Sequence, residues 1–309
     1  MPSYAFFHKQ FMPLSEAKIG ILTHALHYGT ACFEGIRGNW DSEQGRFCLF
    51  RVQDHYERML DGCRILKINL PYSIDELRQL STELVMKSGY HEDVYLRPLA
   101  YKSSETLGVR LHGLEDDFLI IVTTFPPFLG GKGSHCCTSS WRRVDDTMIP
   151  ARGKICGIYV NSCLAKTEAW ENGFDEAILL TQDGHVSEGS GENIFLVIKG
   201  NLITPPSSDN ILMGITRDTV IKLAKNELGI DTIERHVDRS ELYLADECFF
   251  SGTAAHIAPI VEVDHRTVGT GDIGKITLEL QKLFKEVILG RNPKYLDWYT
   301  LVSPKQAKA

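Results

Sequence analysis

The chain has 309 residues, of which 43% are hydrophobic and 24% charged, a composition typical of a globular protein. Its net charge of −7, without a basic stripe, argues against a nucleic-acid-binding surface. Residues 1–12 lack the apolar core of a signal peptide, and no stretch reaches the ~18–20 apolar residues of a membrane span. We therefore expect a cytoplasmic protein with neither a nucleic-acid nor a membrane partner, and the length predicts two domains.

The eight cysteines form no C-x-x-C pair and show no zinc-finger spacing. With no export signal before them, they are expected to be free thiols in a reducing compartment. The sequence therefore predicts neither a disulfide framework nor a metal site.

The first part of the chain is predicted to contain strands and two helices. Apolar residues at helical spacing and runs of strand-forming residues predict helices over 53–66 and 74–86 and strands over 46–50, 94–101 and 118–124. The following ten residues, 125–134, contain two prolines and three glycines, which cannot continue a strand or a helix. We therefore predict a smaller N-terminal domain over residues 1–124 and an interdomain loop over 125–136.

The remaining residues, 137–309, are predicted to form a larger C-terminal domain. The predicted helices span 161–171, 216–228 and 273–289, and the predicted strands span 136–141, 177–181, 193–198, 202–204 and 247–250. Because the strands do not alternate strictly with helices, a Rossmann sheet is not favoured. The expected fold class is α/β (α+β) with two domains.

Four short segments combine glycine with residues that can carry chemistry. Lys154 lies between Gly153 and Gly157, where a ligand can approach it closely, although an exposed loop lysine is the simpler explanation of this segment alone. The others are Ser187-Glu-Gly-Ser-Gly-Glu-Asn193, Met213-Gly-Ile-Thr-Arg-Asp218 and Ser251-Gly-Thr-Ala-Ala255. They can offer carboxylates to a ring nitrogen, a helix start to a phosphate, and backbone donors to an anion. An acidic surface turn, an ordinary N-cap and a tight turn remain open as alternatives.

Two further segments place an arginine and an aromatic residue on one strand face. Phe33, Gly35 and Arg37 share a face by alternation, and Tyr95 and Arg97 share another. An arginine beside an aromatic ring suits a carboxylate, and an edge salt bridge is the alternative. A lysine, an acidic turn and several anion sites together are the parts of a pyridoxal-phosphate site.

These segments together resemble the fold-type IV pyridoxal-phosphate enzymes, and most closely the branched-chain amino-acid aminotransferases. They occur in the order found in that family, between about residues 20 and 260. The matching segments are His24-Ala-Leu-His-Tyr-Gly29, Phe33-Glu-Gly-Ile-Arg37, Tyr95-Leu-Arg97, Lys154 with Tyr159, Ser187-Glu-Gly-Ser-Gly-Glu-Asn193, Gly214-Ile-Thr-Arg217 and Ser251-Gly-Thr-Ala-Ala255.

The resemblance implies a role for each matching residue. Lys154 is implied to be the catalytic lysine that holds pyridoxal 5'-phosphate, with Glu188 facing the pyridine nitrogen and Tyr159 facing the ring oxygen. Arg58, which helical periodicity alone would place at the surface, is implied to bind the phosphate together with Ile215, Thr216 and Thr253. The implied substrate-binding residues are Tyr28, Phe33, Gly35, Arg37, Tyr95, Arg97, Val109, Ala254 and Ala255, with Val109 contributed across a homodimer interface.

The implied activity is transamination of L-leucine, L-isoleucine and L-valine with 2-oxoglutarate, as in branched-chain amino-acid biosynthesis. A D-amino-acid or (R)-amine transaminase and an aminodeoxychorismate lyase share the fold and stay open, as does a cofactor-binding protein without turnover. Arg37, Tyr95 and Arg97 together favour the branched-chain type. The segment 125–128 departs from the family pattern, where many relatives carry a tryptophan and a tyrosine, and Ile158 replaces a common polar residue.

Overall fold

The computed structural model describes residues 4–124 and 133–303 and divides the chain into two compact units. Among the described residues, the first unit contains 4–124, 153–157 and 286–303, and the second contains 133–152 and 158–285. No helix in these ranges combines the length and apolar character needed to cross a membrane.

The first unit is built on an antiparallel sheet with two long helices. Its elements up to residue 124 are β1 Tyr4–Phe7, β2 Gln10–Pro13, a 3-10 turn Leu14–Glu16, α1 His24–Tyr28, β3 Ala31–Phe33, β4 Ile36–Asp41, β5 Arg46–Phe50, α2 Val52–Ile65, α3 Ile74–Ser88, β6 Val94–Lys102 and β7 Asp116–Thr124. Helix α3 begins at a capping box formed by Ser73 and Glu76 and ends at Gly89, whose φ of 68° closes the helix in the left-handed conformation.

The central strand of this sheet is β6, which pairs antiparallel with β3, β4 and β7. Beyond β7 the sheet continues through β1 to β2, and beyond β4 it continues to β5. Helices α2 and α3 pack against each other and bury apolar side chains such as Tyr56, Met59 and Leu84. This burial supplies the hydrophobic free energy that holds the helices in place.

The second unit is built on a mixed sheet with helices. Its elements are β8 Ser134–Arg142, α4 Tyr159–Glu171, β9 Glu176–Leu180, β10 Val186–Gly189, β11 Asn193–Ile198, β12 Asn201–Thr204, α5 Ile215–Leu228, β13 Thr232–Glu234, β14 Glu247–Gly252, β15 His256–Val263, β16 Arg266–Thr267 and α6 Lys275–Ile288. Shorter 3-10 helices of this unit span Ser207–Asp209 and Arg239–Tyr243, whereas Pro293–Trp298 belongs to the first unit and Cys156–Ile158 lies where the two residue ranges meet.

The order of strands in the second sheet is β10-β9-β8-β15-β14-β11-β12-β13, with β16 paired to β15. Strand β8 is parallel to both of its neighbours, and β12 is parallel to β13, whereas the other pairs are antiparallel. A core that includes Ile194, Leu196 and Phe250 lies on this sheet. The two mixed units give the α/β class with two domains that the sequence predicted.

The boundaries of the units differ from the predicted domains. Strand β17, Tyr299–Val302, pairs with β5, so the C-terminal residues 286–303 belong to the first unit rather than to the predicted C-terminal domain. Residues 153–157 also belong to the first unit, and the two units are therefore nearly equal in length. The predicted interdomain loop falls mostly outside the described residues, and Ser134 already lies in β8.

Two local predictions near the candidate site are wrong. The predicted strand through residues 33–37 is interrupted, because β3 ends at Phe33 and β4 begins at Ile36. The acidic segment 187–193 is only partly a turn, since Ser187, Glu188 and Gly189 lie in β10. In both places backbone pairing with other strands, which local sequence patterns do not show, decides where the strand ends.

Candidate active site

Lys154 lies on a short segment that pairs with strand β3 inside the first unit. The backbone N–H of Phe33 donates to the carbonyl oxygen of Lys154 at 3.0 Å, and Cys32 forms a β-bridge with Ile155. The Lys154 Nζ lies 5.2 Å from the centroid of the Phe33 ring. The segment is therefore fixed by backbone pairing, and its lysine amine lies near an aromatic ring.

Phe33 is also close to the predicted arginine of the substrate pocket. The Arg97 guanidinium lies 4.4 Å from the Phe33 ring centroid, and its Nη2 donates to the Tyr95 hydroxyl at 3.2 Å. A Cβ atom on Gly35 would lie 1.8 Å from that hydroxyl, so only glycine leaves room for it. The structure thus brings together Phe33, Gly35, Tyr95, Arg97 and Lys154.

The other predicted pocket residues of the first unit lie on β4 and on a loop near α1. Arg37 is the register partner of Tyr95 and forms an ion pair with Asp93 at 3.2 Å. The Tyr28 hydroxyl accepts from the backbone N–H of Gly108 at 3.0 Å. The next residue, Val109, is 93% exposed and is therefore available to a partner rather than part of this unit's core.

Arg58 is not a surface residue, because its guanidinium pairs with a carboxylate inside the first unit. Its Nε and Nη2 each donate to one oxygen of Glu34 at 2.7 Å, and its side chain is only 12% exposed. The Nδ1 of His55 lies 2.7 Å from Glu34 Oε2. Since His55 and Arg58 are one helical turn apart on α2, one buried carboxylate is held by two side chains of the same helix.

The pKa values of this cluster indicate which of its members are charged. Burial by itself would raise the pKa of Glu34, but the Arg58 charge and the hydrogen bond with His55 outweigh it and hold that pKa well below its usual range. Burial lowers the pKa of His55 despite the adjacent carboxylate. Near neutral pH, Glu34 is therefore ionised and His55 is neutral, so the cluster contains one ion pair.

In the second unit, three hydrogen-bond donors hold the carboxylate of Glu188. Arg143 Nη2 lies 2.8 Å from one oxygen, while the Asn193 side-chain amide and the Leu212 backbone N–H each donate to the other at 3.0 Å. The Glu188 and Arg143 side chains are 7% and 5% exposed. A buried carboxylate with three donors is rigid and is stabilised in its charged form.

The start of helix α5 lies beside this carboxylate. Asn193 also donates to the Leu212 carbonyl oxygen at 2.8 Å, and a Cβ atom on Gly214 would lie 2.0 Å from Asn193 Oδ1. Ile215 and Thr216 form the first turn of α5 and are buried. The positive end of the helix dipole favours an anion, so this turn can hold a phosphate.

The third predicted segment of this unit is the turn between β14 and β15, where Thr253 is followed by Ala254 and Ala255. A Cβ on Gly252, at its start, would lie 3.3 Å from Glu192 Cγ, which places this turn against the acidic segment. Tyr159 is the first residue of α4 and is partly buried. The predicted residues of the second unit are Tyr159, Glu188, Ile215, Thr216, Thr253, Ala254 and Ala255.

The sequence patterns indicated no role for four residues that support the candidate site. Glu34 contacts Arg58 and is itself contacted by His55. Arg143 and Asn193 contact Glu188. Glu34 and Asn193 lie inside the segments that carry the resemblance, so their position was a usable signal. His55 precedes Arg58 by three residues, a helical spacing that is a weak signal. Nothing in the sequence around Arg143 indicates its ion pair with Glu188.

Comparison with known proteins places the chain in a family. The profile of the family described as amino-transferase class IV matches residues 31–263. A probable branched-chain-amino-acid aminotransferase of Aquifex aeolicus is 46% identical over 303 residues, 98% of this chain and 97% of that protein. The branched-chain-amino-acid aminotransferase of Pseudomonas aeruginosa is 40% identical over 291 residues, 93% of each chain.

Solved structures show the same similarity. The branched-chain aminotransferase of Thermoproteus uzoniensis, solved with norvaline, superposes with a TM-score of 0.93 at 42% identity, covering 97% of this chain and 99% of that one. The enzyme of Thermobaculum terrenum in its pyridoxal-phosphate form gives 0.93 at 38% identity, covering 97% and 98%. The resemblance found in the sequence is confirmed, and the chain belongs to the class IV aminotransferases, with the fold-type IV architecture.

Proposed function

We propose that this chain is a branched-chain amino-acid transaminase, which moves the amino group of L-leucine, L-isoleucine or L-valine to 2-oxoglutarate with pyridoxal 5'-phosphate as cofactor. The observation that carries the proposal is the similarity, over nearly the whole chain, to proteins of that name. The residue types that this chemistry needs are present at each matching position, which supports the assignment.

The side chains of each unit fit the cofactor's chemical groups. Lys154 offers an amine for an aldehyde, and the three donors around Glu188 keep a carboxylate charged that can pair with a pyridine nitrogen. Arg58 and the start of α5 at Ile215 and Thr216 suit a phosphate. We propose these residues, together with Thr253, as the cofactor-binding set, with Tyr159 donating to the ring oxygen.

When bound, the cofactor supplies an electron-accepting ring and an aldehyde that exchanges with amines. The protein's own groups then control protons. Glu188, held charged by Arg143, would keep a proton on the ring nitrogen. The Lys154 Nζ would take the proton from the substrate Cα as a general base and, as a general acid, pass it to the cofactor carbon that had carried the aldehyde. Tyr159 would orient the ring through a hydrogen bond from its hydroxyl to the ring oxygen.

The proposed substrate site combines apolar and polar groups. Phe33, with Tyr95 and Arg97 beside it, offers an aromatic wall and a fixed guanidinium, and Arg37 lies opposite Tyr95 in the sheet. An apolar wall suits a branched side chain, whereas the guanidinium suits the second carboxylate of glutamate. The backbone N–H groups of Ala254 and Ala255 are proposed to bind the α-carboxylate.

We also propose that the site is completed in a homodimer. Val109 is 93% exposed beside Gly108, which is hydrogen-bonded to Tyr28. Leu26 and Leu107, at 61% and 59%, add exposed apolar surface to the same segments, as expected of a contact surface. Sedimentation equilibrium checks this: a dimer is expected, and a monomer that retains activity would contradict it.

We also propose a cytoplasmic location. The eight free thiols support it, because thiols stay reduced in a reducing compartment.

The test of the function is spectroscopic. The purified protein is loaded with pyridoxal phosphate, and its absorbance is followed with L-leucine, L-glutamate, D-alanine or (R)-1-phenylethylamine in separate cuvettes. Conversion of the cofactor band by L-leucine and L-glutamate alone is expected, and the Lys154→Ala variant should convert none of them. Conversion by D-alanine or the amine would replace the substrate assignment, and no conversion by any donor would refute the transaminase proposal.

A further inference from the structure

Glu34 is a buried carboxylate to which the proposed reaction gives no role. Its side chain is 0% exposed, and it accepts from Arg58 Nε, Arg58 Nη2 and His55 Nδ1, each at 2.7 Å. The backbone N–H of Gly35 also donates to it at 3.3 Å. A fully buried carboxylate is rare and costs desolvation energy, so this one needs an explanation beyond packing.

The position of Glu34 in the chain points to a function near the site. It follows Phe33, whose ring lies near Lys154 and Arg97, and it precedes Gly35, which leaves room for the Tyr95 hydroxyl. Phe33 thus adjoins Lys154 and Arg97, and Gly35 adjoins Tyr95. Glu34 instead reaches helix α2, which carries Arg58.

We propose that Glu34 is a positioning residue, which fixes the plane of the Arg58 guanidinium in the orientation that a phosphate monoester requires. The proposal rests on the proposed function, because the ligand is the phosphate of its cofactor. Glu34 occupies two of the five N–H donors of Arg58 through a bidentate pair, and such a pair allows the guanidinium only one orientation. His55 Nδ1 contacts the same Glu34 oxygen, Oε2, as Arg58 Nη2.

Charge alone cannot explain this arrangement. A buried carboxylate 2.7 Å from Arg58 offsets the attraction of that arginine for an anion, so a site that worked through charge would omit it. The benefit of Glu34 must therefore lie in orientation, which also lowers the entropy lost when a phosphate binds. Two substitutions separate these effects: Glu34→Asp keeps the charge but moves it, and Glu34→Gln keeps the shape but removes the charge.

The experiment compares two ligands that differ only in the phosphate. Apoprotein is titrated with pyridoxal phosphate and with pyridoxal, and the ratio of the two dissociation constants measures the contribution of the phosphate. We expect both Glu34→Asp and Glu34→Gln to reduce this ratio at least tenfold, as Arg58→Lys should. A role in charge would leave Glu34→Asp like wild type, and a role in folding alone would weaken both ligands equally. Either result would overturn the proposal.

Matched controls keep the test decisive. Glu57→Gln changes an exposed carboxylate on the same helix, which accepts from Gln53 at 2.9 Å, and should leave the ratio unchanged. If the Glu34 variants do not fold, His55→Gln removes one support of the carboxylate and should still lower the ratio, whereas an unchanged ratio would refute the proposal. A wild-type ratio near one would instead refute the phosphate site itself, and with it that part of the proposed function.

Discussion

The Arg143 guanidinium and the Glu188 carboxylate form an ion pair with an N–O distance of 2.8 Å, and both side chains are at most 7% exposed. Arg143 Nε also donates to the carbonyl oxygen of Asn210 at 3.2 Å, so the guanidinium is anchored at two places. Taking two charges out of water is costly, and an isolated pair would gain little from it. The pair is therefore best explained by the need for a charged, immobile carboxylate at residue 188.

Replacing Arg143 with glutamine should damage both stability and cofactor binding. The Glu188 charge would be left buried without its cationic partner, which typically costs about 3–5 kcal/mol. Its pKa should rise, so the carboxylate would no longer hold the proton of a ring nitrogen. Urea unfolding of the apoprotein measures the first effect, and titration with pyridoxal phosphate measures the second, where we expect at least a tenfold loss of affinity.

The neighbouring arginine provides the control for this substitution. Arg142 is exposed at the end of β8, and Arg142→Gln removes the same charge one residue away. It should change the free energy of unfolding by less than about 0.5 kcal/mol. Equal effects of the two substitutions would show that net charge, rather than the buried pair, is responsible.

A second prediction concerns Asn193, whose amide donates to both Glu188 and the Leu212 carbonyl. Asn193→Asp keeps the size of the side chain but turns both contacts into repulsions between acceptors. A second carboxylate about 3 Å from Glu188 should raise the pKa of one of them and weaken cofactor binding at least tenfold. The matched control is Asn201→Asp at the exposed start of β12, which should leave the affinity unchanged. Wild-type affinity of Asn193→Asp would contradict the role of this amide.

The fold was predictable where local patterns determine it. Strand β11 was predicted with the bounds that the structure has, because it lies between an acidic turn and the Lys199-Gly200 turn. Strand β15 was missed, since Pro259 lies in its middle and proline normally argues against a strand. Strand β17 was also missed, because it exists only through pairing with β5, which is far away in sequence.

The site was only partly predictable for the same reason. Lys154, Glu188 and Arg58 came from the resemblance, which supplies identities in order along the chain. The resemblance did not supply the contacts that hold these residues. Glu34, for example, lies 24 residues from Arg58 in the chain, and only the fold brings the two together. The membership of Lys154 in the first unit likewise depends on pairing with β3, which no periodicity encodes.

A third prediction concerns the space at Gly35. Gly35→Ala should displace the Tyr95 hydroxyl, because the new Cβ would lie 1.8 Å from it, and should break the 3.2 Å hydrogen bond with Arg97. A displaced arginine beside Phe33 should lower kcat/KM for L-leucine and L-glutamate by about 10–100-fold, since misplacement of about 1 Å has effects of this size. Steady-state kinetics with both donors provide the measurement.

Tyr95→Phe is the comparison for that variant. It removes the hydroxyl that accepts from Arg97 but keeps the ring in place, so it should cost less than Gly35→Ala. The double variant should recover only part of the loss, because the clashing oxygen is gone but the ring carbon Cζ still lies 2.6 Å from the new Cβ. A Gly35→Ala variant with normal kinetics would contradict the prediction and show that the backbone adapts at this position.

The last prediction concerns Glu192, whose burial raises its pKa to about 8, with Glu176 and Glu188 adding to the shift and Lys166 opposing it. The folded protein therefore keeps a proton on this carboxyl that the unfolded chain loses near pH 4.5. The stability that this proton contributes is fully present below about pH 4.5. It is lost progressively as the pH rises through about 8.

Glu192→Gln should remove this dependence, because an amide stays neutral and its oxygen can still accept from the Gly191 N–H, which donates to Glu192 at 3.1 Å. The gain in its free energy of unfolding over wild type should be about 2–4 kcal/mol larger at pH 8.5 than at pH 5, because wild type alone loses stability as the pH rises. Urea unfolding at the two pH values measures the difference, and Glu171→Gln, at an exposed helix end, is the control. If Glu192→Gln raised the free energy of unfolding equally at both pH values, Glu192 would be ionised at both. Its neighbours would then offset the effect of burial on its pKa.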